Sequence, residues 1–286
     1  VIKVHMPPCD SSDVANRILL NIHRRERSDV IIEPLLVLVV MFSFLLVVNY
    51  ATFHTLSVTS DRGGALDLFF SLSLYLALHF LMILAAFYLL MSRNEKHSQR
   101  ERELRSLLIE YVRCRAEETS VENELRSMIE IDRQIAKKEK PAPSVLTAFL
   151  IGLPLFAMVL MVEPAFTNIA LSTGAALYVI ACLVLLYAMW NVTDFPRKHE
   201  REWIRFQKAA VAALEKMGVN GLVPMRKTVG IRSFTIFLLI SVITAGLFFS
   251  IWTWLLLRDM NAHFQEQWAF EWSLIESLRK NESGTA

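Results

Sequence analysis

The chain has 286 residues, of which 54% are hydrophobic and 20% charged, with a formal net charge of +2 and a mean hydropathy of +0.39. Soluble domains typically carry about 45–50% apolar and about 25% charged residues. The composition therefore excludes a disordered chain and an ordinary soluble domain, and the small net charge provides no global field for nucleic acid. The apolar excess is gathered into uncharged stretches separated by segments crowded with Lys, Arg and Glu, which reads as an all-α integral membrane protein.

The N-terminal segment, residues 1–33, is polar and carries Lys3, Arg17, Arg24, Arg25 and Arg27 ahead of the first apolar run. It has no secretory-signal pattern, so the first run reads as a retained anchor. Residues 34–91 hold two apolar stretches, Pro34–Tyr50 and Leu68–Met91, expected to form a transmembrane hairpin. Residues 92–144 follow, with twelve Lys/Arg and Leu104, Leu107, Leu108, Tyr111, Val112, Leu125, Ile129 and Ile135 at helical spacing. This predicts a charge-balanced cytoplasmic helical hairpin, turning near Thr119–Ser120. A second transmembrane hairpin is expected over 145–190, with Pro154 kinking its first arm. Residues 191–233 carry nine Lys/Arg and read as a cytoplasmic helix ended by Gly218, then a loop. Residues 234–257 form a fifth span or a re-entrant element broken at Thr244-Ala245-Gly246. Residues 258–286 form an amphipathic C-terminal helix and tail.

Lys and Arg concentrate in alternate loops, so the positive-inside rule predicts about five transmembrane helices with a cytoplasmic N-terminus in the plasma membrane. The implied partners are the lipid bilayer and a second copy or another membrane protein, with no nucleic acid. Cys9, Cys114 and Cys182 show neither a disulfide framework nor zinc-ligand spacing.

One pattern repeats. RNEKHSQRERELRSLL (Arg93–Leu108), FPRKHEREWIRFQKAA (Phe195–Ala210) and DMNAHFQEQWAFEWSL (Asp259–Leu274) each set a His shortly after an apolar stretch and an acid three or four residues later. NIHRRE offers a fourth copy, and Asn21 and Asn261 stand at the same place before their His. The candidate metal pairs are thus His23/Glu26, His97/Glu101, His199/Glu202 and His263/Glu266. His and Glu at this spacing share a helix face and can reach one ion. Against this, Arg24, Arg25, Arg100, Lys198 and Arg201 flank the pairs, which favours helix ends with His and Glu paired to neighbouring Arg. His79 is the lone ionisable residue within the apolar stretches, a functional candidate by its depth. Trp252, Trp254, Phe264, Trp268 and Trp272 form an aromatic cluster of the kind found at membrane interfaces.

The stretch SVITAGLFFSIWTWLLLRDMNAHFQEQWAFE (Ser241–Glu271) resembles a motif of uncharacterised prokaryotic, notably archaeal, multi-pass membrane proteins of unknown function. The resemblance implies a membrane architecture and no activity. There is no G-x-S-x-G, P-loop, H-E-x-x-H or dinucleotide fingerprint, which weighs against an enzyme and calls for no cofactor. The sequence points first to a membrane scaffold or accessory subunit presenting cytoplasmic helices. The alternatives are a small transporter or channel built from duplicated units, and a metal-dependent membrane enzyme or sensor using the His/Glu pairs.

Overall fold

A computed structural model describes residues 10–60, 65–116, 120–138 and 168–284. In it the chain is all-α. Helix α1 (Ser11–His23) starts where the Asp10 carboxylate accepts from the Ser12 N–H at 2.9 Å. Its Val14, Ala15, Ile18 and Ile22 recur at three- and four-residue spacing and form one buried face. A single turn, α2 (Arg25–Ser28), leads to α3 (Pro34–Ser60), which opens on a proline whose missing N–H costs nothing at that position. Then come α4 (Ala65–Arg115) and α5 (Glu122–Lys138), the latter with acids in its first turn and lysines in its last. Helix α6 (Asn168–Lys216) ends at Gly218, whose φ of +82° lets the Val219 N–H turn back to the Leu214 carbonyl at 2.9 Å. Two helices close the chain, α7 (Phe234–Ile243) and α8 (Phe248–Gly284).

Three long helices, α4, α6 and α8, make the frame. Helices α1 and α2 pack on α4, α3 on α4 and α8, and α5 on α6. Each long helix passes through the same three layers. The first is an apolar cluster containing Phe87, Leu90 and Met91 of α4, Ala188, Met189 and Val192 of α6, and Trp252, Leu256 and Leu257 of α8. The last is a larger apolar cluster containing Leu104, Leu108 and Val112 of α4, Trp203, Phe206 and Ala210 of α6, and Phe270, Leu274 and Leu278 of α8, closed by α1 and α5. Between them lies a buried polar layer, with Arg93, His97, Arg100 and Glu101 from α4, His199 and Glu200 from α6, and Asn261, His263, Gln267 and Glu271 from α8.

This architecture corrects the five-span reading. Among the described residues one helical segment, Pro34–Thr55, is long and apolar enough to cross a membrane, with 17% of its most apolar window buried. The second and fourth expected spans do not end in loops. They run on as α4 and α6 into charged residues that are buried rather than solvated. The fifth stretch is broken between Ile243 and Phe248, at the Thr244-Ala245-Gly246 point, where Ala245 (φ +48°) and Gly246 (φ +86°) leave the helical region. Residues 145–162 with Pro154 lie outside the described residues. The alternation of inside and outside loops thus loses its basis. With it go the multi-pass plasma-membrane location, the cytoplasmic N-terminus and the lipid bilayer as a partner. The scaffold reading is corrected for a separate reason. It required the charged residues after Met91 to be a displayed surface, whereas Arg93, His97, Arg100, Glu101 and Arg105 are at most 5% exposed. Cys114 is disulfide-bonded, contrary to expectation, and Cys182 is free.

Candidate metal centre

The core stripe of α4 continues unbroken through the polar layer. Leu90, Met91, Asn94, His97, Ser98, Glu101, Leu104 and Arg105 follow one another at helical spacing and are all buried. What changes is the residue type, from apolar to polar and back to apolar. The same change occurs on α6 between Val192 and Trp203, and on α8 between Leu257 and Phe270. Each helix places one histidine in the middle of this interval, and the three meet.

His97, His199 and His263 are each 0% exposed. Their ring centroids form a nearly equilateral triangle, with separations of 5.2, 5.3 and 5.4 Å. One ring nitrogen from each lies within 4.8 Å of the others. Glu101 joins them from α4, with its Oε2 2.7 Å from His199 Nε2 and 4.0 Å from His97 Nε2. Among the described residues, Nε2 of His97, Nε2 of His263 and Oε1 of Glu101 have no protein hydrogen-bond partner. A buried polar atom without a partner costs about 1–3 kcal/mol, so several in one cluster need a common explanation. Phe264, 4.4 Å from the His97 ring, and Phe195, stacked on His199 at 5.2 Å, wall the group with aromatic surface.

A ring of acids and arginines surrounds the histidines. His97 Nδ1 lies 2.9 Å from Asp29 Oδ1, and Asp29 Oδ2 accepts from Arg100 Nη2 at 2.6 Å and from the Trp268 indole N–H at 3.3 Å. Arg100 also donates to Glu271 at 2.7 Å, and Arg25 approaches the other Glu271 oxygen to 3.8 Å. His263 Nδ1 faces Glu200 Oε1 at 3.8 Å. Glu200 is fixed in place by the N–H groups of Thr228 and Val229 and by the Thr228 hydroxyl. Arg105 Nη1 lies 3.7 Å from Glu101, and its Nε donates to Asp132 on α5.

Burial pushes His97 down to about 4, against the opposing pull of Asp29, so the ring is neutral at pH 7 and keeps a lone pair for a ligand. Burial alone would raise Glu101, but His199, Arg105 and His97 outweigh it and hold the carboxyl at about 2. Asp29 is likewise held well below the usual carboxylate range, its burial overcome by His97, Arg100 and Ser28. In Glu200 the facing His263 and the Thr228 and Val229 donors overcome burial, leaving it at about 2. Glu271 goes the other way: burial, aided by Asp29, raises it to about 7 despite Arg100 and Arg25.

Of the four sequence pairs, three contribute their histidine and only His97/Glu101 brings its acid as well. Glu202 turns to Arg205 at 2.6 Å, with Arg201 and Lys138 at 3.5 and 4.0 Å. Glu266 accepts from the Arg226 N–H at 3.2 Å. His23 is exposed on the last turn of α1, and the side chain of Glu26, like that of His79, lies outside the described residues. The aromatic residues separate by role. Trp252 is buried and donates to the Thr193 hydroxyl at 3.1 Å, and Trp254 lies under Arg258. Phe264 and Trp268 line the polar layer, and Trp272 is exposed with Arg25 beside its ring. The two Asn-x-His asparagines do share a role. Asn21 donates to the Arg100 carbonyl and Asn261 to the Ile32 carbonyl, each tying two segments together beside the histidines.

Sequence reasoning missed Asp29 and Glu200. Glu200 directly follows His199, and adjacent helical residues face different ways, so it serves the histidine of the neighbouring helix rather than its own. Asp29 lies outside any helix and is brought in only by the packing of α2 and α3.

Three imidazoles with one carboxylate suit Zn²⁺ and other borderline first-row ions, whereas Mg²⁺ and Ca²⁺ prefer oxygen donors. No family model matches the chain, and neither a curated protein nor a solved structure does. The resemblance of Ser241–Glu271 to multi-pass membrane proteins is therefore corrected: no family match supports it, and the stretch straddles the break before α8 and supplies the third histidine to a buried layer.

Proposed function

We propose that this chain is a metal-binding protein, holding one Zn²⁺-class ion between α4, α6 and α8 through His97, His199, His263 and Glu101. The observation that carries the reading is the set of buried donor atoms facing one another, with Nε2 of His97 and of His263 free of protein partners among the described residues. Ligands around a tetrahedral ion at about 2.0–2.1 Å stand roughly 3.3 Å apart, so side-chain adjustments of about an ångström would close the triangle. Glu101 supplies the fourth ligand and one negative charge.

The ligands come from helices far apart in sequence, so the ion cross-links the middle of the frame. Its binding free energy adds to that of folding. With the three imidazoles 0% exposed, the ion acts on helix packing, and occupancy becomes a structural signal suited to a sensor or a metal-stabilised fold. Elemental analysis of protein purified with Zn²⁺ and then dialysed should give about one ion per chain, since a site of this kind is mostly filled. His199→Ala should abolish retention. A wild-type protein retaining less than about 0.1 ion per chain would sink the reading.

A further inference from the structure

We infer that Asp29 is a positioning residue for the metal centre, orienting His97 from outside the ion's own ligands. The inference rests on the proposed function above. Asp29 is 1% exposed and lies in the short connection between α2 and α3, far in sequence from His97, His199 and His263. Its Oδ1 is 2.9 Å from His97 Nδ1, and its Oδ2 is held by Arg100 and Trp268. Ser28 also donates to Oδ1 at 2.8 Å. A carboxylate so anchored can only accept, so it selects the His97 tautomer with the proton on Nδ1. That leaves the lone pair on Nε2, 4.0 Å from Glu101 Oε2, on a ring whose centroid lies 5.2 and 5.3 Å from those of His199 and His263. Carboxylates hydrogen-bonded to ligand histidines orient the ring and raise its basicity, and losing one typically costs 10–100-fold in affinity.

The consequence concerns the N-terminal segment. Asp29 makes α1 and α2 part of the site, although they contribute no ligand. Asn21, donating to the Arg100 carbonyl at 3.2 Å, and Arg25, 3.8 Å from Glu271, dock the same segment on α4 and α8.

The test uses Co²⁺ as a probe, followed by its visible absorption, on the full chain. Asp29→Asn should weaken Co²⁺ about 10–100-fold and change its absorption bands, while the stoichiometry at saturation is retained. Arg17→Ala removes the α1–α4 surface pair with Glu110 and should leave affinity and spectrum unchanged, which separates the Asp29 contact from general loosening of the segment. In the wild type, ring ¹⁵N shifts should show His97 protonated at Nδ1, a readout that survives if Asp29→Asn does not fold. Equal affinity and an identical spectrum in Asp29→Asn, or a His97 ring protonated at Nε2, overturns the inference. A wild type that binds no Co²⁺ at all overturns the proposed function instead.

Discussion

The two ends of the helical frame have similar interiors and opposite exteriors. At the α3/α7 end, an aromatic and aliphatic cluster around Trp252 is surrounded by side chains that are themselves apolar and exposed, such as Leu36 at 63%, Val47 at 64% and Val242 at 71%. At the α1/α5 end, an aromatic and aliphatic cluster around Trp203 is surrounded by surface ion pairs, such as Arg126–Glu122 and Lys280–Glu276. Hydropathy averages the inside and the outside of a helix together, so it separates the ends sharply although their cores are built alike. The buried polar layer lies where the two meet. There the core stripe keeps its spacing and changes its residue type.

If the interiors are equivalent, they should cost the same to damage. Trp203 and Trp252 are both 0% exposed. The former is stacked on Phe206 at 5.8 Å, and the latter lies among Phe87, Phe234, Phe237 and Phe249. Trp203→Ala and Trp252→Ala should each lose about 3–5 kcal/mol, the range for truncating a large core aromatic, read from chemical denaturation at equal protein concentration. A neutral Trp252→Ala beside a severe Trp203→Ala would break the comparison, because it would mean that the α3/α7 end is not held by its own core.

The polar layer should betray itself through pH where the two clusters do not. Glu271 has its carboxyl raised to about 7, first by burial, against about 4.3 in an unfolded chain. Between those values the folded state binds the extra proton. The Glu271 contribution is therefore fully present below about pH 4 and lost as pH rises through about 7, a span worth on the order of 4 kcal/mol. Glu271→Gln keeps an acceptor for Arg100 and removes the ionisation. Measured by thermal denaturation with chelator present, the variant should gain on the wild type from pH 5 to about pH 7 and level off above it. Parallel pH curves for the two proteins would show that Glu271 stays ionised against Arg100 throughout.

Much of this site was visible in the sequence, but from the wrong angle. The recurrence of His97, His199 and His263 at the same place after an apolar stretch could be read directly, because a repeated unit keeps its register. Their meeting could not, because it depends on three helices from distant parts of the chain lying side by side. The acids were paired with their histidines by same-helix spacing alone. Glu101 lies beside His199 and His97, whereas Glu202 and Glu266 turn to Arg205 and to the Arg226 N–H. In the sequence the flanking cations favour helix ends with His and Glu paired to neighbouring Arg. In the fold Arg100 is spent on Asp29 and Glu271, and Arg105 on Glu101 and Asp132. The helical class was legible throughout. The number of spans was not, since a window of apolar residues cannot tell a helix that ends from one that continues into a buried polar layer.

The break between α7 and α8 sharpens the comparison at its weakest point, because here the uncharged stretch 234–257 would otherwise run straight through. Ser241 and Thr244 return their hydroxyls to carbonyls four residues back, at 2.8 Å each, and the Gly246 N–H reaches the Ser241 carbonyl at 2.7 Å. Trp252 then enters the core from a redirected α8, with Phe237 of α7 against it at 5.4 Å. Gly246 tolerates its φ of +86° because it has no Cβ. Gly246→Ala should cost about 1–2 kcal/mol from backbone strain, seen as a lower denaturation midpoint with an unchanged slope. A larger loss with a changed slope would mean that the break also sets how the α3/α7 end packs. A neutral or stabilising result would mean that the stretch prefers to be one helix, and then Trp252, and with it the apolar end's claim to an interior of its own, would have to be reconsidered.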